Sequence, residues 1–375
     1  MKKILLSLVA VLIAMTALFA QIDNTIYQYN SNDGTTFTDQ TVFLDSADVP
    51  SIAYHPSDTL IATYQSFKGG VGSSDFDKIG VRFSSDGGST WSDHQVINIS
   101  GLPGSSQRSF DPTITVSGDL DYKLYFSYCP NTTMLDSTCD TYSATSYDGI
   151  NYTLDSGIRM GAQSTPVIDP TVAYFGQLWH YSSPIGAPQE GARYAIATDA
   201  LNFTITDTLG TGEGYIKWVG SFLNDGAELR FYGYENSPTL GVVIWWNSTT
   251  DGQNWTGYNH TNVVGKDPGI VKTPGGNYIL LAPQFAATTS IEAIEFADAF
   301  VLYPNPAETS VTISNPMHEF VEHVLLLDMQ GRRLIHQSVH SSEAIEIDIA
   351  TLKSGIYLVQ LQGKKKSTLR RLLKN

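Results

Sequence analysis

The stretch Arg82–Asp93 reads RFSSDGGSTWSD, in which an aspartate and two glycines are followed by a threonine and a tryptophan. Four other segments combine an aspartate, a turn and an aromatic residue: SNDGTTFTD at Asp33, SYDGINYTLD at Asp148, ATDALNFTITD at Asp199 and TTDGQNWTG at Asp251. Successive aspartates are separated by 53, 62, 51 and 52 residues. This spacing predicts five similar units that bury their apolar faces against one another.

The turn itself has a local physical explanation. An aspartate side chain accepts hydrogen bonds from backbone N–H groups two residues further on, and glycine supplies the positive φ of a tight turn. The aromatic residue that follows, such as Trp91 or Trp255, is then expected to pack between neighbouring units. We therefore interpret the repeated motif as a folding element and not as a catalytic one.

Between the turns lies a second recurring segment, which reads as a hairpin of two apolar strands. Its five copies are DVPSIAYHPSDTLIATYQSF from Asp48, FDPTITVSGDLDYKLYFSYC from Phe110, IDPTVAYFGQLWHYSSP from Ile168, EGYIKWVGSFLNDGAELRFYGYE from Glu213 and KDPGIVKTPGGNYILLAPQF from Lys266. Each copy has alternating apolar positions on both sides of a turn. An inner hairpin and an outer hairpin together form four antiparallel strands, which is the composition of a propeller blade.

The order of these segments predicts how the ring closes. The first turn motif precedes the first inner hairpin, and the last inner hairpin has no turn motif after it. Strands from residues 25–45 should therefore complete the blade whose inner strands come from residues 267–285, leaving no exposed edge at the seam. We predict an all-β chain with a five-bladed propeller over residues 21–285.

The N-terminus predicts export from the cytoplasm. Residues 1–20 combine two lysines, an apolar run and small residues at the end, which is typical of a cleavable signal peptide. Cys129 and Cys139 end and begin consecutive strand patterns, so we expect a disulfide in an oxidising compartment. Residues 21–299 carry a net charge of −19, which makes nucleic acid a poor partner.

From Val301 onward the blade motifs are absent, and we predict a linker at residues 286–299 and a small β-sandwich at residues 300–375. This region resembles the C-terminal sorting domain of the type IX secretion system of Bacteroidota. The matching motifs, in order, are YPNP at 303–306, DMQGR at 328–332, LKSGIY at 352–357 and the final Lys/Arg cluster. The resemblance implies contact with the secretion machinery and a secreted or cell-surface protein.

Acidic residues begin the inner hairpins, and the propeller geometry predicts that they converge on one axial funnel. They are Asp48, Asp111, Asp169, Glu213 and Asp267. Carboxylates that crowd together raise one another's pKa values, which suits acid/base chemistry. The sequence also permits a simpler explanation, in which Asp-Pro pairs only end loops and begin strands.

The five blades also resemble the family 43 type of glycoside hydrolase, on the basis of Asp48, Asp169 in IDPTV and Glu213 in EGYI. The resemblance implies that Asp48 activates water, Glu213 protonates the leaving oxygen, and Asp169 orients and tunes Glu213. An inverting reaction needs about 6.5–9.5 Å between base and acid. Other residues are candidates for substrate contact: Asp111, Asp267, Trp179, His180 and Trp218.

Two other functions remain open at this stage. A propeller without catalysis could bind glycans or other surface polymers with the same funnel. A sialidase is the weaker alternative, because an acidic funnel repels anionic sugars, although sialidases share the DGGSTW type of turn. Its arginine candidates are Arg82, Arg108, Arg159, Arg193 and Arg230. We expect a monomer without a cofactor or catalytic metal, although acidic loops could hold a structural Ca²⁺.

Overall fold

The computed structural model describes residues 24–375 except for 71, 105–107, 132–136, 162–165, 186–190, 211–214, 238–240, 286–299, 316–317, 319, 329–332 and 364–366. The predicted signal peptide and linker therefore lie outside the described residues. The chain divides into two compact units, Met1–Phe285 and Ala286–Asn375. In the described residues all regular structure is β, and no helix is long and apolar enough to cross a membrane.

The first unit contains five sheets. Its strands begin with β1 (Asn24–Ser31) and β2 (Thr38–Asp45). Blade one contains β3 (Ala47–His55), β4 (Thr59–Ser66), β5 (Lys78–Ser84) and β6 (Gln95–Val96). Blade two contains β7 (Asn98–Ser100), β8 (Ser109–Val116), β9 (Tyr122–Tyr128), β10 (Asp140–Ser146) and β11 (Asn151–Leu154), with β7 parallel to β11 at its outer edge.

The remaining blades follow the same order. Blade three contains β12 (Thr171–Phe175), β13 (Leu178–Pro184), β14 (Gly191–Ala197) and β15 (Thr204–Gly210). Blade four contains β16 (Ile216–Asn224), β17 (Leu229–Ser237), β18 (Gly241–Thr249) and β19 (Asn259–Val264). Blade five joins both ends of the unit, in the order β20 (Gly269–Lys272), β21 (Tyr278–Phe285), β1 and β2.

The first unit is a closed five-bladed β-propeller. Its innermost strands contact one another in the order β3, β8, β12, β16, β20 and back to β3. In blade five, β1 pairs with β21 along its whole length, from Asn24 opposite Phe285 to Ser31 opposite Tyr278. This pairing confirms the predicted closure. Five clusters of buried apolar side chains each join one pair of neighbouring blades, so the core lies between the sheets.

The five aspartate turns connect the third and fourth strands of the blades, and their hydrogen bonds explain the repeated motif. Asp148 accepts from the backbone N–H groups of Ile150 (2.8 Å) and Asn151 (2.7 Å), and Asp251 accepts from those of Gln253 and Asn254 (both 2.8 Å). Each turn also contacts the preceding blade. The side chains that donate to turn carbonyls are Tyr232 to Gly34 (2.8 Å), Gln28 to Gly88 (3.0 Å) and Tyr125 to Ala200 (2.8 Å). The motif therefore joins blades together.

The disulfide is present between Cys129 and Cys139, as predicted. The two residues lie at the end of β9 and just before β10, with their Cα atoms 4.1 Å apart. Both sulfurs are buried against Phe110 and Ile168, which are the residues that precede two of the Asp-Pro pairs. The covalent link therefore lies beside the residues that lead into two of the axial aspartates.

The second unit is a small β-sandwich. One sheet contains β22 (Val301–Tyr303), β23 (Ser310–Ser314) and β26 (Ile345–Asp348); the other contains β24 (Val321–Leu327), β25 (Arg333–Ser341), β27 (Gly355–Gln362) and β28 (Ser367–Lys374). A single apolar core combines residues of both sheets, for example Ile313 and Ile347 with Leu326 and Val359. Alternation of buried and exposed positions along β23 and β26 produces this packing.

Candidate active site

Three Asp-Pro pairs bring their aspartates to the start of an innermost strand in an unusual backbone conformation. Asp111, Asp169 and Asp267 have φ values of 50°, 52° and 41°. In blade one this conformation belongs to Val49, with φ of 46°, and Asp48 lies one residue earlier. Aspartate tolerates the left-handed region better than most residues do. The sequence prediction that Asp48 is equivalent to the other three is therefore wrong by one position.

The three left-handed aspartates line a narrow cavity on the propeller axis. Val49 and Val219 occupy the corresponding positions of blades one and four. The cavity has a volume of about 10 Å³, which is room for about one water molecule. A ligand larger than a water molecule would consequently lie above this cavity, at the mouth of the funnel.

Asp111 and Asp169 are directly coupled. Oδ2 of Asp111 accepts a hydrogen bond from the hydroxyl of Ser127 at 3.0 Å, and it lies 3.4 Å from the backbone nitrogen of Asp169. Burial raises the pKa of Asp111 to about 6. Burial, followed by the charges of Asp111, Asp267 and Asp48, holds the pKa of Asp169 well above its usual range. Burial and these charges therefore favour the protonated form of Asp169.

Lys266 connects the other two axial carboxyl groups. Its Nζ lies 2.7 Å from Oδ2 of Asp48 and 3.4 Å from Oδ2 of Asp267. Asp48 also accepts from Nδ2 of Asn24 at 2.5 Å and from the backbone N–H of Val49 at 2.9 Å. Burial raises the pKa of Asp267 to about 7, although Lys266 acts in the opposite direction. Asp48 thus pairs with Lys266 beside carboxyl groups whose burial favours their protonated form.

Among the predicted catalytic residues, the structure brings Asp48 and Asp169 to the same mouth. Glu213 lies outside the described residues, so its role stays a prediction. The substrate-contact candidates Asp111 and Asp267 are also at the axis. Lys266 and Tyr234 also belong to this site, although the sequence did not predict either of them. Burial and the charges of Asp267, Asp169 and Asp48 raise the pKa of Tyr234. Lys266 directly precedes an Asp-Pro pair in the segment KDPG. A lysine next to one of the repeated aspartates is a signal that could have indicated the role of Lys266.

The three aromatic candidates for substrate contact lie in the core. Trp218 is 3% exposed and packs against Phe231 and Trp245 between blades three and four. Trp179 is buried between blades two and three. Alternation along a strand indicates that one face is buried, but it does not distinguish a core face from a ligand face.

His180 is also a core residue. Its Nδ1 lies 2.5 Å from the hydroxyl of Tyr194 and its Nε2 lies 3.0 Å from the carbonyl oxygen of Phe175. Burial lowers the pKa of its imidazole. Phe175 ends β12, whereas Asp169 precedes the start of that strand, so His180 lies at the far end of blade three. The prediction that His180 contacts substrate at the mouth is therefore wrong.

The five arginines considered for a sialidase site each contact a different group. Their partners are the carbonyl of Phe43 for Arg82, Asp77 for Arg108, the carbonyl of Leu201 for Arg159, the carbonyl of Pro184 for Arg193, and Asp225 for Arg230. In the part of the chain that the structure describes, no group of three or more His, Cys, Asp or Glu side chains is arranged to hold a metal ion. The funnel calcium stays a prediction.

Comparison with protein families identifies the second unit. Residues 301–375 match the family model of the secretion system C-terminal sorting domain. This match confirms the resemblance predicted from the YPNP, DMQGR and LKSGIY motifs. The sorting domain indicates export, with a secreted or cell-surface location, and interaction with the type IX secretion machinery. A comparison of the chain with curated proteins gave no match.

Solved structures of propeller glycoside hydrolases share a distant likeness with the chain. A family 117 glycoside hydrolase of Zobellia galactanivorans is 13% identical over 68% of this chain and 92% of its own, with a TM-score of 0.44. An α-L-arabinofuranosidase of Clostridium thermocellum is 13% identical over 80% of this chain and 95% of its own, with a TM-score of 0.47. The ring of innermost strands itself, and not these low scores, establishes the five-bladed fold.

Proposed function

We propose that the exported propeller is a glycoside hydrolase that uses the axial carboxyl groups for acid/base catalysis. One observation carries this proposal: a single mouth holds carboxyl groups in two different environments. Asp48 is ion-paired with Lys266, while the pKa values of Asp169 and Asp267 are raised by burial. Pairs of carboxyl groups whose environments separate their pKa values are typical of acid/base sites.

The assigned roles follow from these environments. Asp48, as a carboxylate, acts as the general base that removes a proton from water. Asp169, as a proton-holding group, acts with Glu213 on the leaving oxygen, either by tuning Glu213 or by donating the proton itself. A general acid must be protonated at working pH, and its pKa must be close to that pH for efficient transfer. The acidic mouth favours neutral glycans over anionic ones.

The test is hydrolysis of a panel of neutral oligosaccharides by the mature chain. We expect Asp48→Asn, Asp169→Asn and Glu213→Gln each to lower kcat/KM by about 10²-fold or more, since general acid–base groups contribute about 10²–10⁴-fold. Asp119→Asn is the matched control, because Asp119 is exposed on a turn of blade two. Equal activity in wild type and all three variants would remove these carboxyl groups from the mechanism.

Glycan binding without cleavage is the second candidate, favoured by the small size of the axial cavity. In that case the panel shows no hydrolysis, but oligosaccharides still bind at the mouth. Titration calorimetry with the same panel separates the two functions. Binding that is lost in Asp169→Asn, in the absence of turnover, would support the binding protein and contradict the hydrolase.

A further inference from the structure

A second concave surface lies on the face of the propeller opposite the acidic mouth. We call it the seam groove, because it lies between blade five, where the ring closes, and blade one. Its volume is about 580 Å³, within the range of small-molecule sites. Its walls are the turns at residues 31–38, 55–59 and 273–277, which lie at the far ends of the strands that begin beside the mouth.

Neighbouring hairpins form two sides of the groove. They are the β3–β4 hairpin of blade one and the β20–β21 hairpin of blade five. The aspartate turn at Asp33 closes the other side, and Leu60 and Ile279 provide an apolar floor.

The lining is polar and contains no cation. Among the described residues that line the groove, none is lysine, arginine or histidine. Amide and hydroxyl side chains predominate, including Asn30, Asn277 and Thr273. Three aspartates complete the lining, and they would repel an anionic ligand at short range.

The three aspartates already have partners inside the protein, so they do not require a cationic ligand. Asp33 accepts from the backbone N–H groups of its own turn at 2.7 and 2.8 Å. Asp58 accepts from the hydroxyl of Tyr54 at 3.1 Å, and Asp39 accepts from the hydroxyl of Thr38 at 3.0 Å. The carboxylates keep unused lone pairs that can accept from ligand hydroxyl groups.

Tyr54 gives the groove an aromatic surface in a fixed position. The side chain is half-buried, and its hydrogen bond to Asp58 limits rotation of the ring. Tyrosine combines an apolar ring with a polar group, which suits a ligand that has both apolar C–H faces and hydroxyl groups. The groove therefore offers amide groups that donate hydrogen bonds, carboxylates that accept them and one aromatic ring in a fixed position. This combination suits a sugar without acidic groups.

We propose that the seam groove binds a segment of a neutral saccharide chain, at a site separate from the acidic mouth. The ligand class follows from the lining and does not depend on cleavage at the mouth. In a protein that acts on glycans, such a site on the opposite face would hold the polymer near the propeller without occupying the mouth.

Affinity electrophoresis of the mature chain tests this proposal. Native gels contain arabinoxylan or mannan as neutral polysaccharides, or polygalacturonate as the anionic one. The test variants are Tyr54→Ala, which removes the ring, and Asp39→Asn, which removes an exposed charged acceptor and is tolerated at the φ of 58°. Their matched controls are Tyr147→Ala, at a side chain that is 87% exposed in blade two, and Asp119→Asn.

We expect at least one neutral polysaccharide to retard the wild type, with the dissociation constant raised about tenfold in both groove variants. Both controls should keep wild-type retardation. Retardation that is lost in Asp169→Asn but kept in both groove variants would place binding at the mouth and overturn the proposal. Absence of retardation by both neutral polysaccharides, or equal retardation by polygalacturonate, would also overturn it.

Discussion

The ammonium group of Lys266 lies 2.7 Å from Oδ2 of Asp48, although the two residues are 218 positions apart in the sequence. The contact joins the last blade to the first at the mouth of the funnel. Asn24, in the strand that completes the last blade, donates to the same oxygen. The pair therefore links the closure of the ring to the position of the proposed general base.

Removal of the lysine should destabilise the propeller. In Lys266→Met the carboxylate of Asp48 loses its counterion while remaining buried, and breaking a buried pair in this way costs about 3 kcal/mol. Urea unfolding monitored by tryptophan fluorescence measures the change. Lys68→Met, at an exposed lysine, should leave the free energy of unfolding within about 0.5 kcal/mol of wild type. Equal stability of the two variants would show that the ion pair contributes nothing.

The axial aspartates should make stability depend on pH. A carboxyl group whose folded pKa is raised binds its proton more tightly in the folded state, so its contribution is complete below about pH 4 and is lost as pH rises. Asp111 and Asp267, with pKa values of about 6 and 7, place this loss between about pH 4 and 7. The free energy contributed by these groups should fall across that window.

Asp169→Asn tests this dependence directly. The variant cannot ionise, so between pH 4.5 and 7.5 its free energy of unfolding should fall less than that of wild type. At pH 7.5 it should be at least as stable as wild type, because asparagine removes the cost of burying an ionisable carboxyl group beside Asp111 and Asp267. Urea unfolding at four pH values provides the comparison. Parallel curves for the two proteins would contradict the raised pKa of Asp169.

The aspartate turns should be sensitive to the close approach of the neighbouring blade. A Cβ atom on Gly34 would lie 2.8 Å from Nη1 of Arg230 and 2.9 Å from the hydroxyl of Tyr232. Gly70 has the same φ of 72° but has no atom within 4 Å of such a Cβ. Both Gly→Ala substitutions are destabilising because alanine is disfavoured at a positive φ. Only Gly34→Ala also overpacks its surroundings, which costs about 1–3 kcal/mol more, the usual range for overpacking. Thermal unfolding should therefore order the variants as wild type, Gly70→Ala and Gly34→Ala, and equal costs would argue against tight packing of the turn.

Loss of the disulfide should lower stability moderately. Cys129 and Cys139 are ten positions apart in the sequence, so their bridge closes a short loop. The loop-closure entropy predicts that the bridge raises the free energy of unfolding by about 2–3 kcal/mol. Cys129→Ser with Cys139→Ser should show this decrease in urea unfolding, without any change when reductant is added. The wild type should lose the same free energy on reduction. If reduction leaves the wild type unchanged, the bridge does not contribute to its stability.

Several elements of the fold could be predicted because they depend on local chemistry. The turn at Asp148 needs only a carboxylate and N–H groups two and three residues away, so its sequence is recognisable without the partner blade. The pairing of β1 with β21 followed from the order of motifs along the chain. The sorting domain was predicted from short motifs that occur in a fixed order.

The assignments of individual side chains at the site were less successful. Asp48 was aligned with the Asp-Pro aspartates, but the left-handed position in blade one belongs to Val49. The sequence predicts ligand contact for His180 and Trp218, but Trp218 packs between blades and His180 is buried within blade three. The alternation of apolar residues in the sequence is the same whether a strand begins one residue earlier or later, and whichever face of the sheet is buried. It therefore cannot decide either point.

The sequence by itself determined the five-fold repeat, the closure of the ring, the C-terminal sorting domain and the acidic character of the axis. Only the tertiary structure decided which carboxyl groups share a counterion, which retain protons and where the seam groove opens. The physical reason is that turns and strand patterns arise from neighbouring residues. Ion pairs such as Lys266 with Asp48, by contrast, depend on distances across the ring that the sequence does not specify.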